Sequence, residues 1–146
     1  MLPFWDGLVV TNHFDPEMAQ LADRHYSRRT IGARQFCYAG RKLVLRDTAG
    51  DVLFVWMWPL EDMRMDGQAG YSCAIFRNEG ARRSSEIILE AEAAAFAKWG
   101  PRRVFTYVNP AKIRSTNPGC CFKAAGWKRI GQSKGGLALL AKEVAA

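Results

Sequence analysis

No stretch of this chain reaches the run of about eighteen apolar residues that a membrane span requires. Its first residues, Met1-Leu2-Pro3-Phe4-Trp5-Asp6, lack the basic flank and apolar run of a secretion signal, so the sequence reads as a soluble cytoplasmic protein. Cysteine is scarce: Cys37, Cys73, Cys120 and Cys121 form no C-x-x-C pair and have no histidines at zinc spacing. The adjacent pair is poorly placed to bond to itself, which leaves reduced thiols, most of them small core residues. Internal repeats, low-complexity tracts and linkers are missing as well.

Acidic residues are missing from two blocks. Arg24 to Arg46 carries seven Lys or Arg and no acid, and Pro101 to Lys142 carries nine and again none. The mostly acidic stretch Asp47 to Asp66 separates them. With a net charge of +7, this layout suggests a basic patch of the kind that binds polyanions, although ordinary solubility charge explains the same excess.

The 146 residues, 49% hydrophobic with five Trp and eight Phe, suffice for one packed domain, taken as residues 1–146. Gly7 to Thr11 reads as a first strand. Asp15-Pro16-Glu17 supplies a cap, a proline for the first helical position and an acid for the first turn, predicting a helix to about Tyr26 with Met18, Leu21 and Ala22 inward. Arg41 to Asp47 and Asp51 to Pro59, joined by Thr48-Ala49-Gly50, predict a hairpin. Its second strand is apolar almost throughout and belongs in the middle of a sheet. Trp56 and Trp58 share a face and either stack a base or fill core, with core the better fit for Trp56.

Tyr71 to Gly100 reads as strand, turn and helix. Arg77 to Ser85 is a polar turn around Gly80, and Ser84 or Ser85 can cap the helix whose Ile88, Ala91, Ala95 and Trp99 recur at helical spacing until Gly100-Pro101. Free amides at a helix start, the positive dipole end and Arg77, Arg82 and Arg83 suit a phosphate; a capped helix with solvated arginines is the plain alternative. Arg102 to Asn109 is a further strand, Gly119 to Ala125 a short helix, and Trp127 to Gln132 with Gly135 to Lys142 a last pair of strands. The order predicts an α/β fold with a mixed central sheet whose middle strand–helix–strand unit is parallel.

His25-Tyr26-Ser27-Arg28-Arg29 brings a group titrating near neutrality, a phenol, a hydroxyl and two guanidiniums to the end of the first helix. A histidine that compensates the helix dipole and a half-buried tyrosine would look the same.

Element order, the turn Arg77-Asn78-Glu79-Gly80-Ala81-Arg82 and the ending Ala125-Gly126-Trp127 together resemble the GNAT acyltransferase superfamily over nearly the whole chain. The resemblance implies a GNAT-like mixed sheet flanked by helices, with an acyl-CoA-type or other acyl donor held at Arg77, Asn78, Glu79, Gly80, Ala81, Arg82, Arg83, Ser84 and Ser85, where the family holds a pyrophosphate. Two places depart from the family's pattern. Arg82 stands where the family has Gly or Ala, and Cys121 and Phe122 stand where it often has an acid tyrosine.

Within the superfamily, the His25-Tyr26-Ser27-Arg28 segment, the size and the charge layout are similar to the Mom-type DNA-modification proteins of Mu-like phages. That similarity implies addition of an acyl-type (acetamido or carbamoylmethyl) group to the exocyclic amine of adenine in duplex DNA, protecting phage DNA from restriction in the bacterial host. The amine is a poor nucleophile, so the base must be flipped out, oriented and deprotonated as the bond forms. The implied roles are His25 as base, Tyr26 and Ser27 beside it, and Asn109 or Ser115 orienting the adenine. Arg28, Arg29, Arg34, Lys112 and Arg114 would contact phosphates, and Trp58 or Tyr71 would stack the flipped base. The family's iron dependence would make His25 and Tyr26 iron ligands, although one His beside one Tyr forms no metal constellation on its own. The implied partner is duplex DNA, without a membrane and with a homodimer left open. An ordinary GNAT enzyme acetylating a small amine or a protein, or a non-catalytic nucleic-acid-binding module of this fold, fits the same residues.

Overall fold

The structure is a computed structural model, and it describes residues 7–24, 40–58, 68–109, 119–133 and 135–144. Its elements are β1 (Val9–Thr11), α1 (Pro16–Asp23), β2 (Arg41–Arg46), β3 (Val52–Trp58), β4 (Tyr71–Asn78), α2 (Ser84–Trp99), β5 (Val104–Val108), α3 (Cys120–Ala124), β6 (Lys128–Gln132) and β7 (Ala138–Lys142). The strands form one seven-stranded sheet in the order β1-β2-β3-β4-β5-β7-β6. Every neighbouring pair is antiparallel except β4 and β5, which are parallel as α2 connects them.

β3 is apolar throughout because both of its faces are covered. Leu53, Val55 and Met57 pack with Met18, Leu21 and Ala22 of α1, whereas Phe54 and Trp56 pack on the other side with Ile88, Ala91 and Ala95 of α2. Trp56 is fully buried and its indole N–H donates to the Ala91 carbonyl at 2.8 Å, so it is core. Stripping such a ring to alanine costs about 3–5 kcal/mol in most cores.

The register of β3 against β4 steps from Val55↔Ile75 to Trp56↔Cys73, which leaves Ala74 as an extra residue on β4. A bulge of this kind bends its strand and reverses the in-out alternation beyond it. Tyr71 and Cys73 accordingly lie in the α2-side core, while Ile75 lies in the α1-side core. β4 pairs with β5 only from Tyr71↔Val104 to Cys73↔Thr106. After Cys73 the ladder between the two parallel strands ends, and the sheet forks.

α1 begins as the sequence predicts, with the Asp15 carboxylate accepting from the Glu17 and Met18 amides. It ends at Asp23, short of the expected Tyr26, and Arg24 forms its C-terminal cap. The cap of α2 also differs from expectation: Arg83 occupies the N-cap position and makes no side-chain bond to the helix. Ser84 is instead held by the Asn78 amide, which donates to its hydroxyl at 3.0 Å. No helix among the described residues is long and apolar enough to cross a membrane.

Candidate active site

The fork between β4 and β5 has a polar floor. Thr106, almost fully buried, donates its hydroxyl to the Cys73 carbonyl at 3.0 Å, the last residue pair before the strands part. Burial pushes the Cys73 thiol far above its ordinary range, so it is neutral and inert at physiological pH. On the α2 side of the fork, Phe122 of α3 packs edge-on against Phe76 of β4 with ring centroids 6.0 Å apart. Cys121 precedes it, half-buried, and its thiol is likewise pushed up, first by burial and then by neighbouring Cys120. Of the three described cysteines only Cys73 is the core residue expected; Cys121 is half-buried and Cys120 exposed.

α3 is fixed by a buried polar knot. Glu92 of α2, with a side chain 6% exposed, accepts from the Lys142 ammonium at 2.9 Å and from the Trp127 indole at 2.9 Å. Lys142 also donates to the Ala125 carbonyl just after α3, at 3.0 Å. A charge this deep is tolerated because each of its oxygens has a partner.

At the far end of β4 the turn into α2 is knitted by its own side chains. The Asn78 amide donates to the Arg82 carbonyl at 2.8 Å and its oxygen accepts the Gly80 amide at 3.0 Å. Gly80 approaches the hairpin turn so closely that a Cβ would sit 3.3 Å from that of Asp51. Glu79 accepts from Nε and Nη2 of Arg24, at 2.7 and 3.0 Å, and from Nε of Arg77 at 2.9 Å. Its carboxyl is held below the ordinary value, chiefly by the hydrogen bond from Arg24. Arg82 pairs with Glu90 at 2.8 Å, and the other Glu90 oxygen accepts the Leu8 amide at 2.6 Å.

Of the arginines expected to serve a phosphate, Arg77 and Arg82 are therefore already engaged with carboxylates, and only Arg83 stands exposed at the helix start without a described ion-pair partner. Together Arg24, Arg77 and Glu79 leave one net positive charge beside the turn. The amides opening α2 have no capping side chain, and Ala81 and Arg83 beside them are exposed. The Arg82 side chain is drawn to Glu90 of α2, eight residues on.

Two of the expected base-stacking residues are not available. Tyr71 is fully buried, and its hydroxyl donates to the Gly100 carbonyl at 2.6 Å. Trp58 is only partly buried, but the Arg41 and Arg102 guanidiniums lie 3.6 and 4.8 Å from its ring centroid, with Tyr71 and Trp99 against it. Both belong to a structural cluster at the end of the sheet opposite the α2 start. Asn109 stands just beyond β5, partly exposed. His25, Tyr26, Ser27, Arg28, Arg29, Arg34, Lys112, Arg114 and Ser115 lie outside the described residues. No group of three or more metal-ligating side chains occurs among the described ones.

The sequence pattern held no sign of two positions. Thr106 is an unremarkable strand residue until the fork is seen. Arg24 becomes meaningful only through Glu79 and Arg77, which tie the end of α1, and so the departure point of the His25-Tyr26 segment, to the β4–α2 turn: Arg77 also donates to the Arg24 carbonyl at 3.2 Å.

A seven-stranded mixed sheet that forks after a bulged fourth strand, with a helix rising from that strand's turn, is the GNAT fold. Solved structures bear this out. The aminoglycoside acetyltransferase AAC(6')-Ib in complex with coenzyme A and kanamycin matches with a TM-score of 0.64 at 14% identity, over 94% of both chains. The same enzyme with coenzyme A alone gives 0.65 at 13% identity over the same shares. The GNAT domain of S. lividans PAT gives 0.62 at 15% identity, over 94% of this chain and 89% of that one. No protein-family model matches the sequence, and no curated protein matches it.

Proposed function

We propose that the protein is an acyltransferase that moves an acyl-type group from a coenzyme A-type thioester to an amine, and that the amine is the exocyclic nitrogen of adenine in duplex DNA. The observation that carries the acyl-transfer part is the fork after Cys73 and Thr106, opening beside the uncapped start of α2. The AAC(6')-Ib structures, of the same fold, contain coenzyme A. In this chain the Ala81–Arg83 backbone and the first amides of α2 would hold the pyrophosphate, and the unpaired edge of β4 beyond Cys73 would receive the extended arm. When bound, the donor supplies an activated carbonyl.

The remaining steps fall to the chain. The acceptor nitrogen must be positioned against that carbonyl and lose a proton as the bond forms, which is the role of His25 with Tyr26 and Ser27. Phe76 and Phe122, packed edge-on, would keep water from the reacting atoms, and the half-buried Cys121 of α3, whose pKa burial raises, would supply a proton to the departing sulfur. Asn109 and Ser115 would orient the adenine, and Arg28, Arg29, Arg34, Lys112 and Arg114 would meet the backbone phosphates. The DNA part rests on the +7 charge, the two acid-free blocks and the His25-Tyr26-Ser27-Arg28 likeness.

A second reading, N-acetylation of a small amine or a protein, is favoured by the likeness to an aminoglycoside acetyltransferase and by the burial of Tyr71, which removes one stacking partner for a flipped base. Mass spectrometry of nucleosides from cells expressing the chain or its His25→Ala variant separates the two. A modified adenosine present with the parent chain and lost with the variant supports DNA modification. An unmodified adenine pool, together with coenzyme A binding and acetylation of amines in vitro, supports the second reading.

A further inference from the structure

At the end of α2 away from the β4–α2 turn, β1 and the start of β2 enclose a cleft of about 240 Å³ lined by Val10, Thr11, Asn12, His13, Lys42 and Lys98, with Leu43 and Val44 behind. Lys98 lies fourteen residues beyond Ser84 along α2, about 21 Å from the helix start at 1.5 Å per residue, so this is a separate place from the donor turn.

Its charge is unbalanced. Neither Lys42 nor Lys98 has a hydrogen bond or ion pair among the described residues, although two ammoniums bordering one small cleft repel each other. Of the carboxylates on or capping α1 and on α2, Asp15 and Glu17 are committed to Arg46, Glu90 to Arg82 and the Leu8 amide, and Glu92 to Lys142 and Trp127, while Asp23 and Glu86 do not line the cleft. The dipole at the end of α2 favours a cation at Lys98 but supplies no anion. Asn12 spends its side-chain oxygen on the Phe14 amide at 2.9 Å, which leaves its amide N–H groups to donate. The lining thus offers two cations, an amide donor and an imidazole, and no carboxylate. Such a set suits a tetrahedral, multiply charged oxyanion, and the volume is too small for a whole cofactor.

We propose that the cleft between β1, the start of β2 and the end of α2 is a phosphoryl-binding site, with Lys42 and Lys98 neutralising the charge and Asn12 and His13 hydrogen-bonding to its oxygens. The site is independent of the acyl-transfer reading, because it lies at the opposite end of α2. A phosphodiester of a nucleic-acid backbone and the phosphate of a small molecule present the same chemistry.

The test is a titration of the ¹⁵N-labelled full chain, first with inorganic phosphate and then with a short DNA duplex, following the amide shifts of Asn12, His13, Lys42 and Lys98. Lys42→Gln and Lys98→Gln should each weaken phosphate binding by about tenfold, the usual worth of one charge-assisted hydrogen bond, while Lys42→Arg retains most of it. Both lysines lie at the cleft surface and the otherwise unchanged spectra of the variants report that the fold is kept. If the duplex moves the same amides and phosphate competes with it, the site grips a nucleic-acid backbone. Phosphate shifts that the duplex does not reproduce identify a small phosphorylated ligand, and either result upholds a phosphoryl site. Shifts confined to Ala81–Ser85, no shifts at all, or equal binding by the Gln variants overturn it.

Discussion

Arg24 and Glu79, fifty-five residues apart, meet in a two-pronged ion pair with nitrogen–oxygen distances of 2.7 and 3.0 Å. This pair joins the last turn of α1 to the turn between β4 and α2. The pH dependence follows from the direction of the shift. The Glu79 carboxyl is held below its ordinary value of 4.5 by the hydrogen bond from Arg24, so its stabilisation is present above that value and is lost as pH falls through the folded-state pKa. Urea unfolding of the parent chain and of Glu79→Gln should differ modestly at neutral pH and converge in acid. The pair is exposed, so the difference stays small.

Arg82 makes a sharper test of the donor turn. Its guanidinium is already drawn to Glu90 at 2.8 Å. Arg82→Ala should therefore change coenzyme A affinity by less than the tenfold or so that losing a charged phosphate contact causes. Calorimetric titration of coenzyme A reads this, and a larger loss would mean that Arg82 turns from Glu90 to the phosphate.

The Glu92 knot predicts strong non-additivity. Lys142→Met leaves a buried carboxylate with only the Trp127 indole, and breaking such a pair costs about 3–5 kcal/mol. Adding Glu92→Leu should recover much of that loss, since the uncompensated charge goes with it. Denaturant unfolding of the two single variants and the double variant measures the coupling.

Tyr71→Phe should cost about 1 kcal/mol, the net worth of the hydroxyl's bond to the Gly100 carbonyl, and leave product formation unchanged. Thermal unfolding and the nucleoside assay read the two effects. A variant of full stability that had lost its product would restore Tyr71 as a substrate-facing residue.

The element order was legible in the sequence, because hydrophobic spacing and turn residues are local signals. The apolar run of β3, the hairpin at Thr48-Ala49-Gly50, the Asp15-Pro16 start of α1 and the Gly100 stop of α2 all stand where those signals lie. The GNAT likeness came from the same order. The early end of α1 and the bare cap of α2 were not legible, since Ser84 is taken by Asn78, a partner outside the helix.

What the sequence determined by itself is the fold's layout and its charge: an α/β order of strands and helices, two acid-free blocks and a polar turn after β4. Only the tertiary structure decided how those charges are spent. Arg24, Arg77 and Arg82 look alike in sequence, yet each is committed to a carboxylate, whereas Lys42 and Lys98 share a cleft without one. The physical reason is that ion pairing and burial depend on distances between residues far apart in the chain. The extra residue at Ala74 shows the same limit: a bulge exists only as a mismatch between two strands, and this one marks where the sheet opens.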